Sequence, residues 1–300
     1  MTDELWRSEY PFQSNFMELA DGNRLHYVDE GSGPPVLMVH GNPTWSFYYR
    51  HLVQSLQDRY RAIAVDHVGC GLSSKPQKYS YTLTQHIQNL TQLIEHLGLD
   101  GVHLVVHDWG GPIGLGMAGR FPEKIRSLTI LNTGAFPPLY IPWRIFALRF
   151  PWLGSLAIRR FNLFAGPATR MTMNRTKLSD IAKAGLLAPY KGHANRVAID
   201  AFVKDIPFSK SHHVYNELAQ IERNLTHLAD KPIQFIWGMQ DWCFSPKCLS
   251  KFQELFPAAN VLEIADAGHY VLEDAKEDVL AAISTFLDTT VSSVSTDIGE

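Results

Sequence analysis

The stretch that decides the fold is Val105-Val106-His107-Asp108-Trp109-Gly110-Gly111. It predicts the end of a buried strand, then a tight turn, then the start of a helix, which is the local frame of a nucleophile elbow. Asp108 occupies the turn position where a serine is typical. A carboxylate with an ordinary pKa of about 3.9 is ionised at neutral pH without the help of a base. Such a group suits attack on a saturated carbon that carries a leaving group, and the resulting ester must then be hydrolysed.

Outward from this stretch, short apolar and β-branched runs alternate with longer segments of helical spacing. The runs predicted as buried parallel strands are 36–39, 61–65, 102–106, 127–131, 233–237 and 261–264. The clearest helical pattern places apolar residues at Leu83, Ile87, Leu90, Ile94 and Leu97. Thr82 and Gln85 predict a capping box at its start, and Gly98 predicts its C-terminal cap. This alternation predicts an α/β fold, with a mostly parallel twisted sheet, helices on both faces and ligands beyond the carboxyl ends of the strands.

The alternation stops between residues 134 and 215, a region rich in proline, aromatic residues and arginine. A stretch of about eighty residues without a strand is too long for a simple connection in a compact sheet. We therefore predict a helical cap over 134–215, inserted between two parts of a main domain, 1–133 and 216–288. A flexible tail is expected over 289–300. The alternative is that 134–215 belongs to the main domain as a poorly patterned stretch.

Composition excludes several classes of function. The 300-residue chain has a net charge of −3, which gives no indication of a nucleic-acid-binding surface. Three cysteines make no disulfide framework and suit a reducing compartment. Residues 1–4 are acidic, which argues against a secretory signal, and no run reaches the roughly 18 apolar residues of a membrane span. The expectation is a cytoplasmic protein with no membrane span and no nucleic-acid partner.

Polar side chains follow four of the predicted strands. They are Asn42 in His40-Gly41-Asn42-Pro43, Asp108 with Trp109 beside it, Asp241 in Trp237-Gly238-Met239-Gln240-Asp241, and His269 in Asp266-Ala267-Gly268-His269. The Asn42 amide and the Trp109 indole N–H are donors that suit an anion. Each position alone has an ordinary explanation, as a turn residue, a helix cap, a surface acid or one histidine among thirteen. Their recurrence at four strand ends favours one site.

Neither a cofactor nor a metal is expected. Gly114-x-Gly116-x-x-Gly119 matches a dinucleotide-binding pattern, but it lies inside a helix rather than at a strand-to-helix turn, so close helix packing explains it better. The histidine pairs 212–213 and 103–107 have no third ligand at metal spacing.

Three motifs together carry a resemblance to a known family. His40-Gly41-Asn42-Pro43-Thr44-Trp45, His107-Asp108-Trp109-Gly110-Gly111 and Gly268-His269 resemble haloalkane dehalogenases of the α/β-hydrolase superfamily, over about residues 15–288. The resemblance implies the α/β-hydrolase fold with an inserted helical cap. It also implies Asp108 as nucleophile, His269 as base, and Asn42 with Trp109 as the halide- and oxyanion-binding pair.

The catalytic triad of this superfamily also includes an acid that orients the base. Some family members carry the acid at the position that Asn132 occupies here, and an amide cannot replace a carboxylate. Asp241, after the next strand, is then the acid, and nucleophile, acid and base follow in the chain order of α/β hydrolases. This combination also resembles β-lactone decarboxylases.

The expected reaction is hydrolytic dehalogenation of a haloalkane to an alcohol and a halide. Asp108 would form a covalent alkyl-enzyme ester, and His269 would activate the water that cleaves it. One alternative is β-lactone decarboxylation to an alkene and carbon dioxide. A second is epoxide hydrolysis, in which cap tyrosines protonate the opening oxygen, with Tyr140, Tyr190 and Tyr215 as candidates. A non-enzymatic binding protein would have no need for the four polar positions.

The cap is expected to supply the apolar walls of the substrate site. The candidates for this lining are Phe136, Trp143, Phe146 and Phe164. The expected partners are a small apolar halogenated or lactone substrate, a halide ion and water. The cap arginines, Arg144, Arg149, Arg159 and Arg160, are interpreted as a solvated face. The alternative is a docking surface for a partner protein, a homo-oligomer or other assembly, or an anionic lipid.

Overall fold

A single mixed sheet of eight strands organises the part of the chain that the structure describes. The structure is a computed structural model that describes the backbone of residues 5–297 and the side chains of residues 5–291. The strands are β1 Asn15–Glu18, β2 Arg24–Glu30, β3 Pro35–Val39, β4 Arg61–Val65, β5 Val102–Asp108, β6 Ile125–Thr133, β7 Ile233–Gly238 and β8 Asn260–Ile264.

The strand order is β1-β2-β4-β3-β5-β6-β7-β8. From β4 to β8 all neighbours are parallel, whereas β1 pairs with β2, and β2 with β4, in antiparallel fashion. All six predicted strands are confirmed, and so is the α/β fold. Strands β1 and β2 were not predicted, because β1 has only four residues and neither carries the continuous apolar run of a strand buried on both faces.

Helices cover both faces of the sheet. The α-helices are α1 Arg50–Leu56, α2 Leu83–His96, α3 Gly110–Ala118, α4 Trp143–Ala147, α5 Leu153–Ser155, α6 Ala165–Met171, α7 Asp180–Leu187, α8 Val197–Asp205, α9 His213–Asn224, α10 Pro246–Leu255, α11 Val271–Asp274 and α12 Lys276–Asp297. Short 3-10 turns span Leu5–Glu9, Ser46–Tyr49, Pro122–Lys124, Ala188–Tyr190, Ala194–Arg196 and Leu225–Leu228, and a π turn spans Leu156–Arg160.

Two hydrophobic cores lie on opposite faces of the sheet. Strand β3 shows the division, since Leu37 and Val39 belong to one core and Val36 and Met38 to the other. Successive side chains of a strand point to opposite faces, so a strand buried on both sides feeds both cores.

Helix α2 follows its predicted boundaries. The Thr82 hydroxyl accepts from the Gln85 backbone N–H at 3.4 Å, and Gly98 adopts a φ of +59° just past the end of the helix. Of the two hydrogen bonds of the predicted capping box, only the one to the Thr82 hydroxyl forms. The Gln85 side chain bonds Asn89 on the next turn instead of the backbone at Thr82.

The glycines of α3 are packing residues. A Cβ on Gly114 would lie 2.6 Å from the Val106 side chain, and one on Gly116 would lie 2.6 Å from Ile87. The helix therefore approaches β5 and α2 too closely for any larger residue. This confirms the interpretation of the glycine pattern as close helix packing.

Residues 134–212, which we name the cap segment, contain helices α4 to α8 and no strand. Helix α7 packs near the N-terminal turn Leu5–Glu9, and the Trp45 indole N–H donates to the Gly185 carbonyl at 3.0 Å. Helix α9 begins at His213 and packs against α2 and α3, so it belongs with the helices of the main sheet. Helix α12 continues to Asp297, so most of the predicted tail is helical; residues 298–300, and the side chains from 292 on, lie outside the described residues.

Asp274, at the end of α11, ties the cap segment to the loop after β8. Its buried carboxylate accepts backbone N–H bonds from Gly268 at 2.7 Å, Asn174 at 2.8 Å and Thr176 at 2.7 Å. Removing an acceptor from buried donors costs the full desolvation of those donors. This side chain thus fixes both the cap segment and the loop that carries His269.

Replacing Asp274 with Ala is expected to lower the free energy of unfolding by about 3 kcal/mol or more, because several buried N–H groups lose their acceptor. Urea denaturation followed by circular dichroism measures the change. Asp278→Ala is the matched control, since Asp278 pairs at the surface with the side chain of Arg175, whose backbone N–H donates to Asp274, and its loss should cost about 0–1 kcal/mol. Equal costs for the two variants would contradict this role of Asp274.

Candidate active site

Asp108 lies on a sharp turn between β5 and α3. Its backbone φ is +50°, in the left-handed region that a side-chain-bearing residue rarely adopts. Its Oδ1 accepts the Asn42 backbone N–H at 2.6 Å, which orients the carboxylate toward the end of β3. Helix α3 is capped at Trp109 without a side-chain bond, so Asp108 is not a helix cap.

Glycines permit the close approach around this turn. A Cβ on Gly41 would lie 2.0 Å from the Asp108 carboxylate, and a Cβ on Gly110 would lie 1.9 Å from the Val39 carbonyl. Gly114 likewise leaves room for the Val106 side chain at the end of β5. The absence of side chains at these glycines therefore allows the turn to form.

His269 lies between two buried carboxylates. Its Nδ1 is 2.8 Å from Asp241 Oδ2, and its Nε2 is 3.5 Å from Asp108 Oδ2. Asp108, Asp241 and His269 all have at most 6% of their surface exposed. The structure thus brings together three side chains that the sequence places after β5, β7 and β8.

The charges of this group are strongly coupled. Burial opposes a charge on His269, but the carboxylates of Asp241 and Asp108 outweigh burial and raise the pKa of the imidazole to about 10. Burial likewise opposes ionisation of Asp241, and the nearby imidazole and two backbone N–H groups hold the pKa of its carboxyl below the usual value. The neighbouring His107 is buried beside His269, and its pKa falls to about 3. The resting site therefore holds one imidazolium between two carboxylates.

Asn132, at the end of β6, holds Asp241 in place. Its Nδ2 donates to Asp241 Oδ2 at 2.9 Å and to the Gly238 carbonyl at 3.1 Å, while its Oδ1 accepts the Gly238 N–H at 2.8 Å. The sequence indicated that Asn132 cannot serve as the acid, but this contact with Asp241 was not predicted. Strands β6 and β7 are neighbours in the sheet, and that topology was the signal that could have revealed the contact.

Asn42 and Trp109 lie on either side of Asp108 and face the same cavity. The Asn42 Nδ2 makes only a long bond, 3.4 Å, to the Ile199 carbonyl, and its buried Oδ1 has no partner among the described residues. The Trp109 ring packs 5.3 Å from Phe202. Both side chains are therefore weakly engaged donors beside the carboxylate, which is what an anion-binding pair requires.

A cavity of about 670 Å³ opens above Asp108. Phe136, Trp143 and Phe164 line it, as predicted. The prediction for Phe146 is wrong, because this side chain lies on the outer surface of α4, 48% exposed, and Ala147 and Leu148 line the cavity instead. Phe136 also packs in the main core, 5.1 Å from Phe252.

Other walls were not foreseen from the sequence. Trp242, Cys243 and Phe244 follow Asp241 directly and line the cavity, as does Tyr270 beside His269. The Phe244 ring stacks 5.7 Å from the His269 ring and shields it. Burial and the nearby carboxylates raise the pKa of the Cys243 thiol. These wall residues follow Asp241 or His269 directly in the sequence, and this adjacency could have indicated that they line the cavity.

The tyrosines proposed for epoxide opening are scattered. Tyr140 lines the cavity, but its hydroxyl bonds the Trp242 carbonyl at 2.6 Å and the Cys243 carbonyl at 3.0 Å. Tyr190 is buried outside the cavity and donates to the Thr44 carbonyl at 3.0 Å. Tyr215 lies on α9, also outside the cavity. The structure does not bring the three together.

Of the cap arginines, Arg144 and Arg160 are exposed, as the sequence predicted. Arg149 is half-buried and bonds the carbonyls of Val203 and Ile206, and Arg159 bonds Gln77 on the main domain. No group of three or more potential metal ligands occurs among residues 5–291, and no helix within 5–297 is long and apolar enough to cross a membrane.

The strand order and the turn after β5 are those of the α/β-hydrolase class. The chain belongs to the α/β hydrolase fold family, whose model matches residues 34–276. The chain is an enzyme, and two kinds of enzyme are represented among its relatives.

The first kind is represented by a cis-3-alkyl-4-alkyloxetan-2-one decarboxylase from Shewanella oneidensis, 43% identical over 93% of this chain and 90% of that protein. The second is represented by haloalkane dehalogenase 2 from Mycobacterium tuberculosis, 34% identical over 91% of this chain and 94% of that protein. A crystal structure of a haloalkane dehalogenase from Bradyrhizobium elkani superposes with a TM-score of 0.86 at 23% identity, covering 94% of this chain and 99% of that one. This structural likeness concerns the fold.

Replacing Asn132 with Leu is expected to lower kcat about ten- to hundredfold, because Asp241 loses a buried donor and no longer fixes the His269 ring. KM should change little, since Asn132 does not line the cavity. Steady-state kinetics measure both constants, and a thermal melt controls for folding. An unchanged kcat in a folded Asn132→Leu variant would show that this bond has no positioning role.

The His269 charge also predicts a pH dependence of stability. Because the folded pKa lies above the ordinary value of about 6.5, the stabilisation is complete below about pH 6.5 and is lost as the pH rises through about 10. The free energy of unfolding should decline over this range in the wild type, and His269→Gln should remove that decline. His96→Gln, at the exposed end of α2, is the control that should retain it. Urea denaturation at several pH values checks the prediction.

Proposed function

We propose that this enzyme decarboxylates a β-lactone with two alkyl substituents, a cis-3-alkyl-4-alkyloxetan-2-one, to an alkene and carbon dioxide. The observation that carries the proposal is the position of the Asp108 carboxylate at the floor of an apolar cavity of about 670 Å³. This volume lies near the middle of the usual range of ligand pockets, about 300–1,000 Å³, and leaves room for a substrate with two alkyl chains. The decarboxylases of Shewanella oneidensis and Xanthomonas campestris, 43% and 39% identical, add support.

The first step is ring opening. One Asp108 oxygen attacks C4 of the lactone in line with the C4–O bond, which breaks and relieves the ring strain. The ring oxygen and C2 become a carboxylate attached to C3, and C4 becomes an ester of Asp108 with inverted configuration. The Asn42 and Trp109 side-chain donors would meet this carboxylate as its charge develops, and donors fixed in advance are effective in a dry site.

The second step is loss of carbon dioxide. The C2–C3 bond breaks, its electron pair forms the C3=C4 double bond, and the C4–O bond to Asp108 breaks to regenerate the free carboxylate. Inversion at C4, followed by departure of the two groups from opposite sides, gives a cis alkene from a cis lactone. No water is consumed. The substrate carboxylate would keep a negative charge in the site, so His269 would remain an imidazolium and stabilise the Asp108 carboxylate as it leaves, while Asp241 would orient the ring.

Hydrolytic dehalogenation is the second candidate function. The observation that favours it is the pair of weakly engaged donors, Asn42 and Trp109, beside the nucleophile, which suits a halide as well as a carboxylate. After Asp108 forms an ester its negative charge is lost, so the pKa of His269 would fall and the ring could deprotonate water. Epoxide hydrolysis has less support, because the Tyr140 and Tyr190 hydroxyls donate to backbone carbonyls.

The two reactions are expected to separate in one assay. The enzyme is incubated in ¹⁸O-water with a long-chain cis-β-lactone or with 1-bromohexane, and alkene, bromide and the mass of the Asp108 peptide are measured. Decarboxylation should give cis alkene with no ¹⁸O on Asp108, because water never enters the cycle. Rapid bromide release with ¹⁸O on Asp108, and negligible alkene from the lactone, would overturn the proposal in favour of dehalogenation.

A matched pair of variants controls for spontaneous lactone breakdown. Asp108→Asn should lower kcat about a thousandfold or more, because the amide is a poor nucleophile. Asp100→Asn changes a 77% exposed acid just before β5 and should leave kcat unchanged. Alkene formation that persists in Asp108→Asn would refute Asp108 as the nucleophile.

A further inference from the structure

The cap segment exposes an unusual amount of apolar surface. We name six of its exposed side chains the cap face: Trp143, Phe150, Trp152, Leu153, Phe161 and Leu163, with 74%, 58%, 86%, 71%, 60% and 52% of their surface exposed. All six lie within a stretch of 21 residues that includes α4 and α5. Exposed apolar side chains concentrated in this way are typical of interaction sites.

The backbone conformation at Trp152 holds the side chain of this residue in an exposed position. Its φ of +71° and ψ of −56° place it at the centre of a γ-turn, closed by the Leu153 N–H on the Pro151 carbonyl at 2.8 Å. This turn is rare and strained for a residue with a bulky side chain. An indole held outward in this way adds almost no buried area to the fold of the monomer, so its apolar surface remains available to a partner.

The cap segment is also cationic, although the whole chain has a net charge of −3. Residues 134–179 contain seven arginine and lysine residues and no aspartate or glutamate. Arg144, Arg160 and Arg170 are exposed, and none of them forms an ion pair with any described residue. The Arg160 guanidinium lies over the Phe161 ring at 6.0 Å, and Arg144 lies over Trp143 at 5.7 Å. Positive charge therefore interleaves with the exposed aromatic rings.

The cap face is continuous with the cavity above Asp108. Trp143 and Leu163 belong to the cap face and also line the cavity, and Arg144 lines it beside them. A substrate that approaches along the cap face would therefore pass from one apolar surface to another.

We propose that the cap face docks on an anionic lipid surface, so that apolar substrate enters the cavity from the lipid. The aromatic and leucine side chains would insert at the boundary between headgroups and acyl chains, and the arginines would contact lipid phosphates. Exposed tryptophan, phenylalanine and leucine with arginine beside them is the composition of such interfacial segments. The proposal concerns delivery of substrate and does not depend on which of the two reactions the site performs.

Two other occupants fit the observations less well. A second copy would meet the cap face through a twofold contact, which would bring two unpaired arginine clusters of like charge together. An acidic partner protein would satisfy the charge, but it would also cover Trp143 and Leu163 at the cavity wall. A lipid surface satisfies the charge and supplies apolar substrate at the same place.

Flotation of the purified protein with lipid vesicles tests the proposal without any turnover. The protein should bind vesicles of equal parts phosphatidylglycerol and phosphatidylcholine. It should bind pure phosphatidylcholine at least about tenfold more weakly, since each arginine near an anionic surface contributes about a tenfold change or somewhat less. Binding should weaken strongly in about 1 M salt, where screening acts within about 3 Å.

The chain offers a matched pair of aromatic–arginine variants. Phe161→Ser with Arg160→Glu changes a pair on the cap face, and it should weaken binding to the anionic vesicles about tenfold or more. Phe16→Ser with Arg24→Glu changes a similar exposed pair on β1 and β2, where Arg24 lies 4.7 Å over the Phe16 ring, and it should leave binding unchanged. None of these four residues lines the cavity, so thermal melts and turnover in detergent should match the wild type.

Trp152→Ser provides a second, independent variant and should also weaken vesicle binding. Absence of binding to anionic vesicles, or equal binding by the two double variants, would overturn the proposal. So would a dimer in solution that Trp152→Ser dissociates, because the cap face would then be covered by a second copy. Loss of turnover with intact vesicle binding would count against the proposed function alone.

Discussion

The site depends on one interaction, the placement of the His269 imidazole between two buried carboxylates. Asp241 and Asp108 are both almost fully enclosed, and two uncompensated charges at this depth would be strongly destabilising. The positively charged imidazolium stabilises both carboxylates, and the carboxylates in turn raise the pKa of the imidazole. The surrounding contacts serve this arrangement. Asn132 holds one carboxylate, the Asn42 N–H holds the other, and Asp274 fixes the loop that carries the ring.

The sheet explains why residues far apart in the chain could be predicted as one site. Strands β3 and β5 are neighbours although β4 lies between them in sequence, and β6, β7 and β8 follow in order. Parallel strands deliver their carboxyl ends to one edge, so a polar residue after each strand is expected to meet the others. The four positions could be predicted from the periodicity of the strands and from their order along the chain. Both can be recognised from the sequence alone.

What the sequence did not reveal depends on packing between segments without a regular period. Asp274 and Asn132 act through backbone groups of other segments, and no local pattern encodes such partners. The cap helices are short, so their apolar residues give no clear face, and Phe146 was assigned to the cavity although it points outward. Strands β1 and β2 escaped notice for a similar reason, since β1 is a short edge strand and β2 interleaves polar with apolar residues and so lacks a continuous apolar run.

The turn after β5 carries Asp108, and the cap segment supplies walls of the cavity above it. In the proposed function, Asp108, Asn42, Trp109 and His269 would determine how a saturated carbon is attacked and where the departing anion is held, and these features suit a halide and a ring carboxylate equally. A halide departs as a separate ion and leaves an ester that only water can cleave. A lactone carboxylate stays attached through C3 and supplies the electrons that release Asp108. Which of the two reactions occurs therefore depends on the substrates that the cap admits. An apolar cavity that continues into an exposed apolar face can accommodate long dialkyl substrates.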